Sequence, residues 1–415
     1  MRILMFAPAF APHMGSESLV TSKLVLLFQQ AGWEVDVVSR REPALYGSNW
    51  DPPWSGLECC TNEVVPPELS RLGMLRARLL NTVTMQHPLR GLTWAAMALA
   101  VGRRMVDSRR YDLIMSRSPP EIGHLPALIL ARQLDLPWIA NWNDPPIGAW
   151  PAPYEKENLG VVMQFVYRRY IRRICAEATF TTFPSEELAG HFSRHFGAIN
   201  QTEYSVMPHA TLALDAHESP TGSKFVLRHA GKLCAARAPW TFFSGLRAFV
   251  SLERPAVGSF LLEQVGYADT SFFEISRAFE VESYVSATGP LPYLQTMDLL
   301  AQSTVNLLVE APCNEGIFLP GKFIDYAQVR RPILAISPDR GVAARLLALN
   351  GGGIHADVRS PSAIAAAITE LYQNWSAGQL DARYGSETLA QPYQPEAVIG
   401  GYRSLFQRLH CAHVA

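Results

Sequence analysis

The stretch TVNLLVEAPCNEGIFLPGKFIDYAQVRRPILAI (residues 304–336) holds two apolar runs with a loop and a helix-like segment between them. TVNLLVE (304–310) and PILAI (332–336) have the length and composition of buried strands. The helix-like segment starts at about Pro320, a residue suited to a first helical turn. Strand, helix and strand in succession form a crossover unit, which joins parallel neighbours in one sheet.

The same alternation extends in both directions. Upstream in the second half, strands are expected at FVLRHAG (225–231), GSFLLEQVG (258–266) and VESYV (281–285), with helices near 238–250, 270–279 and 292–302. Downstream come a helix near 339–349, a short strand in GGGIHAD (351–357), a helix near 361–374 and two further helical segments. The first half repeats the pattern. Strands are expected at RILMFA (2–7), EVDVVS (34–39), YDLIMS (111–116), PWIAN (137–141), ATFTTF (178–183) and YSVMPH (204–209). Helices are expected at 16–32, 90–109, 121–134, 155–177 and 185–196, and residues 43–67 read as a Pro- and Trp-rich loop. The polar segment LALDAHESPTGSK (212–224) marks the boundary. The expectation is an α/β chain of two tandem Rossmann-like domains facing a cleft, 1–210 and 211–390. A C-terminal helix, 391–415, has the apolar spacing in YRSLFQRL (402–409) to pack back on the first domain.

Composition agrees. A chain of 415 residues suits two domains of about 200 residues each. Lys and Arg number 36 against 37 Asp and Glu, which argues against a general nucleic-acid binder. The six Cys show no C-x-x-C zinc spacing and read as reduced thiols, pointing to a cytoplasmic protein. No window reaches the roughly 18 apolar residues of a membrane span. YRRYIRRI (167–174), with Arg168, Arg169, Arg172 and Arg173, and a second basic group of Arg71, Arg76 and Arg78, allow either peripheral contact with anionic lipid or plain solvated faces.

Open parallel sheets bind ligands beyond the carboxyl ends of their strands, so the loops there are the candidates. PAFAPHMGSES (8–18) lacks the G-x-G-x-x-G of dinucleotide sites, which weakens a nicotinamide reading; Gly15 permits close approach of a ligand, and Ser16 or Ser18 suits a helix cap. In SRSPPEIGH (116–124), His124 reads as a helix-surface residue. NWNDPP (141–146) places Asn143 and Asp144 where a catalytic or acceptor-binding group would stand, or forms an Asx-type turn. HAGKLCAARAPW (229–240) offers Gly231, Lys232 and Arg237 before a helix start, a fit for a pyrophosphate. In the opening stretch Gly321 lets a phosphate come close, Lys322 adds a positive charge, and Asp325 suits a ribose diol. The bland alternative there is a Pro-Gly turn with a solvated charge pair.

With these loops in place the chain resembles the GT-B glycosyltransferases, near glycosyltransferase family 4 (Group 1). The resemblance rests on MRILMFAPAFAPHMGSESLVTSKLVLLFQQAGWEVDVVS, on YDLIMSRSPPEIGHLPALILARQLDLPWIANWNDPP, on FVLRHAGKL with its later Arg, and on LPGKFIDYAQVRRPILA. It implies a first domain for the acceptor and a second for a nucleotide-sugar donor. It implies Gly231, Lys232, Arg237, Gly321 and Lys322 at the donor diphosphate, with Gly15 approaching from across the cleft, and Asp325 on the ribose in place of the second Glu of a Glu-x7-Glu motif. The first Glu falls at Ile317, so Glu315 becomes the stand-in beside Asn143 and Asp144 as catalytic candidates. The His common in the catalytic loop is absent at NWND.

The function this implies is transfer of a sugar from a nucleotide diphosphate sugar to an acceptor hydroxyl, with retention. The enzyme would be hexosyltransferase-like and metal-independent, with no cofactor beyond the donor. The acceptor would be a glycan, lipid-linked or small-molecule compound in cell-envelope glycan or glycosylated natural-product synthesis, and the enzyme cytoplasmic or peripheral at the inner membrane face. The alternatives are a sugar-nucleotide epimerase or hydrolase, and an inert nucleotide-sugar-binding protein.

Overall fold

The computed structural model describes residues 1–47, 49–65, 72–73, 75, 91–146, 148–154, 161–197, 204–213, 223–233, 237, 239–268 and 270–414. The chain forms two compact units. Met1–Trp150, Glu155–Leu212 and Pro395–Ala415 make the first; Pro151–Tyr154 and Ala213–Gln394 make the second.

The first unit is built on seven parallel strands: β1 (Arg2–Phe6), β2 (Glu34–Arg40), β3 (Thr61–Val64), β4 (Leu113–Ser118), β5 (Trp138–Trp142), β6 (Phe180–Phe183) and β7 (Tyr204–Val206). Their order is β3-β2-β1-β4-β5-β6-β7. Among the described residues, the strands are followed by the helices α1 (Ser16–Gln30), α2 (Gly91–Ser108), α3 (His124–Leu134), α4 (Val161–Glu177) and α5 (Glu186–Phe196). Every residue of β4 and β5 is buried. That is the signature of strands covered on both faces, and it explains why they read as continuous apolar runs.

The second unit repeats the design with six strands in the order β10-β9-β8-β11-β12-β13. They are β8 (Phe225–Ala230), β9 (Phe260–Val265), β10 (Val285–Gly289), β11 (Val305–Val309), β12 (Ile333–Ser337) and β13 (Gly353–Asp357). The helices are α6 (Pro239–Glu253), α7 (Thr270–Ala278), α8 (Tyr293–Ala301), α9 (Gly321–Gln328), α10 (Val342–Asn350), α11 (Pro361–Ser376) and α12 (Leu380–Tyr384). Side chains alternate between two cores. Leu307, Leu334 and Ile336 pack with Phe225, Phe242 and Phe249 on one face. Leu308, Ile333 and Ala335 pack with Phe323, Tyr326 and Leu347 on the other. In both sheets the strand order reverses next to the first strand, between β1 and β4 and between β8 and β11. Ligands of open α/β sheets bind at such switch points.

The last helix, α13 (Pro395–Val414), belongs to the first unit. The Tyr402 ring meets Phe28 of α1 edge-on at 4.9 Å, and Phe406 meets Trp33 at 4.8 Å. Burying each such aromatic contributes about 1.5–3 kcal/mol.

Four local expectations are corrected. Thr61–Val64 is a strand rather than loop; it is a short edge element with three half-buried polar residues, so it lacks an apolar signature. The strand expected at 281–285 begins only at Val285, because Glu282–Tyr284 form a tight turn and buried Val281 packs in the core. Neither Ser16 nor Ser18 caps α1; Gly15 holds the cap position, without a side-chain bond. His124 is fully buried, not on a helix surface. No helix among the described residues is long and apolar enough to cross a membrane.

Candidate functional site

The switch point of the second unit gathers several of the predicted residues. The β8 strand ends at Ala230, and Gly231 follows with φ +96°, a left-handed conformation that glycine adopts without strain. A Cβ at Gly231 would lie 3.0 Å from Lys322 Nζ. Lys322, in the first turn of α9, donates from Nζ to the Ala230 carbonyl at 2.7 Å and lies 3.5 Å from His229 Nε2. Tyr326, one turn further, accepts the Ala230 N–H on its hydroxyl at 2.9 Å. The start of α9, with Pro320 at its cap and Gly321 as first residue, is thereby fixed against the end of β8. Arg237 donates to the Lys232 carbonyl at 2.8 Å, and the exposed Lys232 ammonium lies 5.4 Å from the Tyr267 ring centroid. Asp325 accepts from the Tyr293 hydroxyl at 2.9 Å, which ties α9 to the start of α8.

Electrostatics mark one residue that the sequence reading passed over. Glu310 ends the run NLLVE and is 9% exposed. Burial pushes its carboxyl up to about 7, while the charges of Arg237 and Lys322 pull it back. Burial, with Lys322 and Arg237 nearby, also drives His229 well below its ordinary range and keeps it neutral. The site thus holds Lys322 and Arg237 around a neutral imidazole and a carboxyl that titrates near neutrality. The signal in the sequence was an acid at the end of an otherwise apolar strand, since Glu is rarely buried without a partner.

The loop from Ala311 to Pro320 is anchored at two places. Arg359 Nη2 donates to the carbonyls of Pro312 and Cys313 at 2.7 and 2.8 Å and to Asn314 Oδ1 at 3.2 Å. Gly316 N–H donates to Arg340 O at 2.7 Å, and a Cβ on Gly341 would lie 2.8 Å from Gly316 Cα. Only glycines permit that approach. Glu315 is exposed on this loop, whereas Ile317, at the position of the expected first Glu, is 1% exposed within the protein. Ile317 is a packing residue.

In the first unit, Gly15 precedes α1, and Glu17 in the first turn of that helix was also missed. Asn143, buried at the end of β5, donates from Nδ2 to Glu17 Oε1 and Oε2 at 2.8 and 2.7 Å. Arg117 of β4 lies 3.6 Å from Glu17 and donates to Thr21 Oγ1 at 2.8 Å. Burial raises the Glu17 carboxyl to about 7 against the pull of Arg117 and Asn143. Burial, with Glu121 adding to it, raises Asp144 to about 7 as well. Asn143 and Asp144 therefore stand with Glu17, Glu121 and Arg117 around the carboxyl ends of β4 and β5. His124 lies behind them: its Nδ1 is 2.8 Å from Ser116 Oγ, its ring centroid is 4.2 Å from that of Trp142, and burial lowers its pKa to about 3.

Arg168, Arg169, Arg172 and Arg173 are all exposed on α4; Arg172 donates to Phe196 O and Arg173 to Glu177. Arg71, Arg76 and Arg78 lie outside the described residues. Among the described residues no group of three His, Cys, Asp or Glu could hold a metal ion.

Residues 18–209 match the glycosyl transferase 4-like domain family. No curated protein sequence matches the chain. Solved structures resemble it over nearly its full length. HepE of Anabaena, in complex with UDP and glucose, has 13% identity and a TM-score of 0.67, covering 99% of this chain and 100% of its own. Sucrose-phosphate synthase from Thermosynechococcus elongatus has 13% identity and a TM-score of 0.69, covering 99% of each chain. The pneumococcal O-GlcNAc transferase GtfA, in complex with UDP and GlcNAc, has 10% identity and a TM-score of 0.66, again covering 99% of each chain. Two Rossmann-like units of matching strand order and full-length likeness to these solved structures give the chain the GT-B fold, and its residues 18–209 match the glycosyl transferase 4-like domain family.

Proposed function

We propose that the chain transfers a sugar, with retention, from a nucleotide diphosphate sugar to an acceptor hydroxyl. The observation that carries this reading is the set of residues at the β8–β11 switch point: Gly231, Lys232, Arg237, Gly321 and Lys322 for the diphosphate, and Asp325 for the ribose. HepE and GtfA, similar in fold, were solved with UDP, which supports a nucleotide-linked donor.

The hard step is departure of the diphosphate. The bond from the anomeric carbon to the phosphate oxygen breaks, and its electron pair stays on the diphosphate. Lys322, Arg237, Lys232 and the positive end of the α9 dipole stabilise that developing charge. The acceptor oxygen bonds to the same carbon, and its proton passes to the departing phosphate oxygen. Asn143 and Asp144 hold the acceptor hydroxyl, and Glu315 contacts the donor sugar. The cations take the charge that a metal carries in other transferases, so the reaction proceeds in chelator.

The test is a thermal-shift screen against nucleotide sugars, since a ligand bound only by the folded state raises its melting temperature. Product analysis then follows with the best donor, in chelator, with and without a pool of glycan, lipid-linked and small-molecule acceptors. A glycosylated product with the donor's anomeric configuration is expected. Donor hydrolysed or epimerised without an acceptor would replace transfer by that chemistry. Sugar transfer unchanged in Lys232→Ala would remove Lys232 from the diphosphate site.

A further inference from the structure

The contact between Glu17 and Asn143 has more content than a helix-to-loop tie. An ionised carboxylate has only acceptor oxygens, so with Glu17 ionised the Asn143 group within 2.7–2.8 Å of both of them is the amide nitrogen, and Oδ1 is directed away from Glu17. The backbone of Asn143 is fixed as well, its N–H donating to Ser118 O at 3.0 Å. Glu17 is held in turn by Thr21 Oγ1 at 3.0 Å and by the buried Arg117, whose Nε lies 3.6 Å away. Three elements, α1, β4 and the end of β5, thus converge on the orientation of one carboxamide.

We propose that Glu17 is a positioning residue that turns the carboxamide of Asn143 so that Oδ1, a pure hydrogen-bond acceptor, is the atom offered to substrate. This rests on the reading of Asn143 as a contact of the acceptor substrate. The ligand group selected is a hydrogen-bond donor, the attacking hydroxyl itself, and a substrate offering only lone pairs at that point is refused. Without Glu17 the carboxamide is free to turn and present Nδ2, which would donate to one lone pair of the attacking oxygen and make it a poorer nucleophile. The effect therefore belongs to turnover of the acceptor and leaves the donor's KM unchanged.

The experiment compares Glu17→Leu, which cannot accept, with Glu17→Gln, whose Oε1 still can. Glu17→Leu is expected to lower kcat/KM for the acceptor about tenfold or more with an unchanged donor KM, and Glu17→Gln to stay within about threefold of wild type. On an Asn143→Ala background, Glu17→Leu is expected to add nothing, because the two residues act as one. Equal losses on both backgrounds, or Glu17→Leu acting like wild type, would overturn the proposal. A second readout needs no turnover: the side-chain amide signals of Asn143, in protein labelled with ¹⁵N at asparagine and identified by their loss in Asn143→Ala. They are expected to move more in Glu17→Leu than in Glu17→Gln, or in Glu17→Asp relative to wild type if the leucine variant does not fold. Unmoved signals overturn the positioning role. A wild type that transfers no sugar while these signals do move would refute the transferase reading and leave the orientation intact.

Discussion

The ammonium of Lys322 lies 2.7 Å from the carbonyl oxygen of Ala230, so a cation on the helix after β11 is bonded to the last residue of β8. The bond bridges the two strands on either side of the switch point. It aims Lys322 at the space beside Gly231, where a Cβ would meet its Nζ at 3.0 Å. One side chain thus closes the fold locally and charges the place where a diphosphate would sit.

Lys322→Ala is expected to weaken nucleotide-sugar binding by about tenfold or more and to cost about 1 kcal/mol of stability, the usual net worth of one hydrogen bond. Calorimetric titration with the donor and denaturant unfolding read the two effects separately. Gly231→Ala is expected to impair binding through backbone strain and contact with Lys322.

Asp325→Ala is expected to reduce affinity for a ribonucleotide donor severalfold and to leave affinity for the 2′,3′-dideoxy analogue nearly unchanged. Tyr293→Phe, which removes the hydroxyl bonded to Asp325 at 2.9 Å, is expected to produce a smaller loss of the same selectivity. Equal losses for both nucleotides would separate Asp325 from the sugar diol.

Glu310 is expected to give the proposed donor site a pH dependence. Its carboxyl is raised to about 7 by burial, so below that pH it is neutral, and above it a negative charge stands near Arg237 and Lys322. A nucleotide sugar keeps its diphosphate charge across this range. Its binding is therefore expected to weaken as pH rises from 6 to 8, and Glu310→Gln is expected to flatten the profile.

For Asp144, stability and the proposed activity are expected to respond in opposite directions. Its folded pKa, about 7, lies above the ordinary 3.8, so the folded state binds the proton more tightly than the unfolded chain. The stabilising contribution is complete below about 3.8 and is lost as pH rises to about 7. Asp144→Asn is neutral throughout and is expected to raise the melting temperature at pH 8 but not at pH 4, while lowering sugar transfer. Thermal unfolding at the two pH values checks the sign.

Much of the fold was legible because the central strands of both sheets are buried on both faces. LIM and WIA in the first unit, like LLV and ILAI in the second, are apolar along their whole length, and helices separate them. Edge strand β3 was not legible, since TNEV packs only partly and carries no such run. The candidate loops were legible through glycine, proline and charge at strand ends. Glu17 and Glu310 were not, because a single acid in a helix's first turn or at a strand's end normally faces water. Only folding shows that Arg117 and Asn143, the latter 126 residues away in sequence, converge on Glu17. Likewise, nothing local distinguishes Ile317 as a packing residue from a reactive position two residues after Glu315.

The return of α13 to the first unit bears on how the molecule is made. Tyr402 and Phe406 close over Phe28 and Trp33, so a surface laid down within the first 33 residues waits for residues near 400 to cover it. During synthesis from the N-terminus, the second unit has nearly all of its own sequence before the first unit has its last helix. The half that begins first is completed last, and a nascent chain stalled before Pro395 lacks the two rings that cover Phe28 and Trp33.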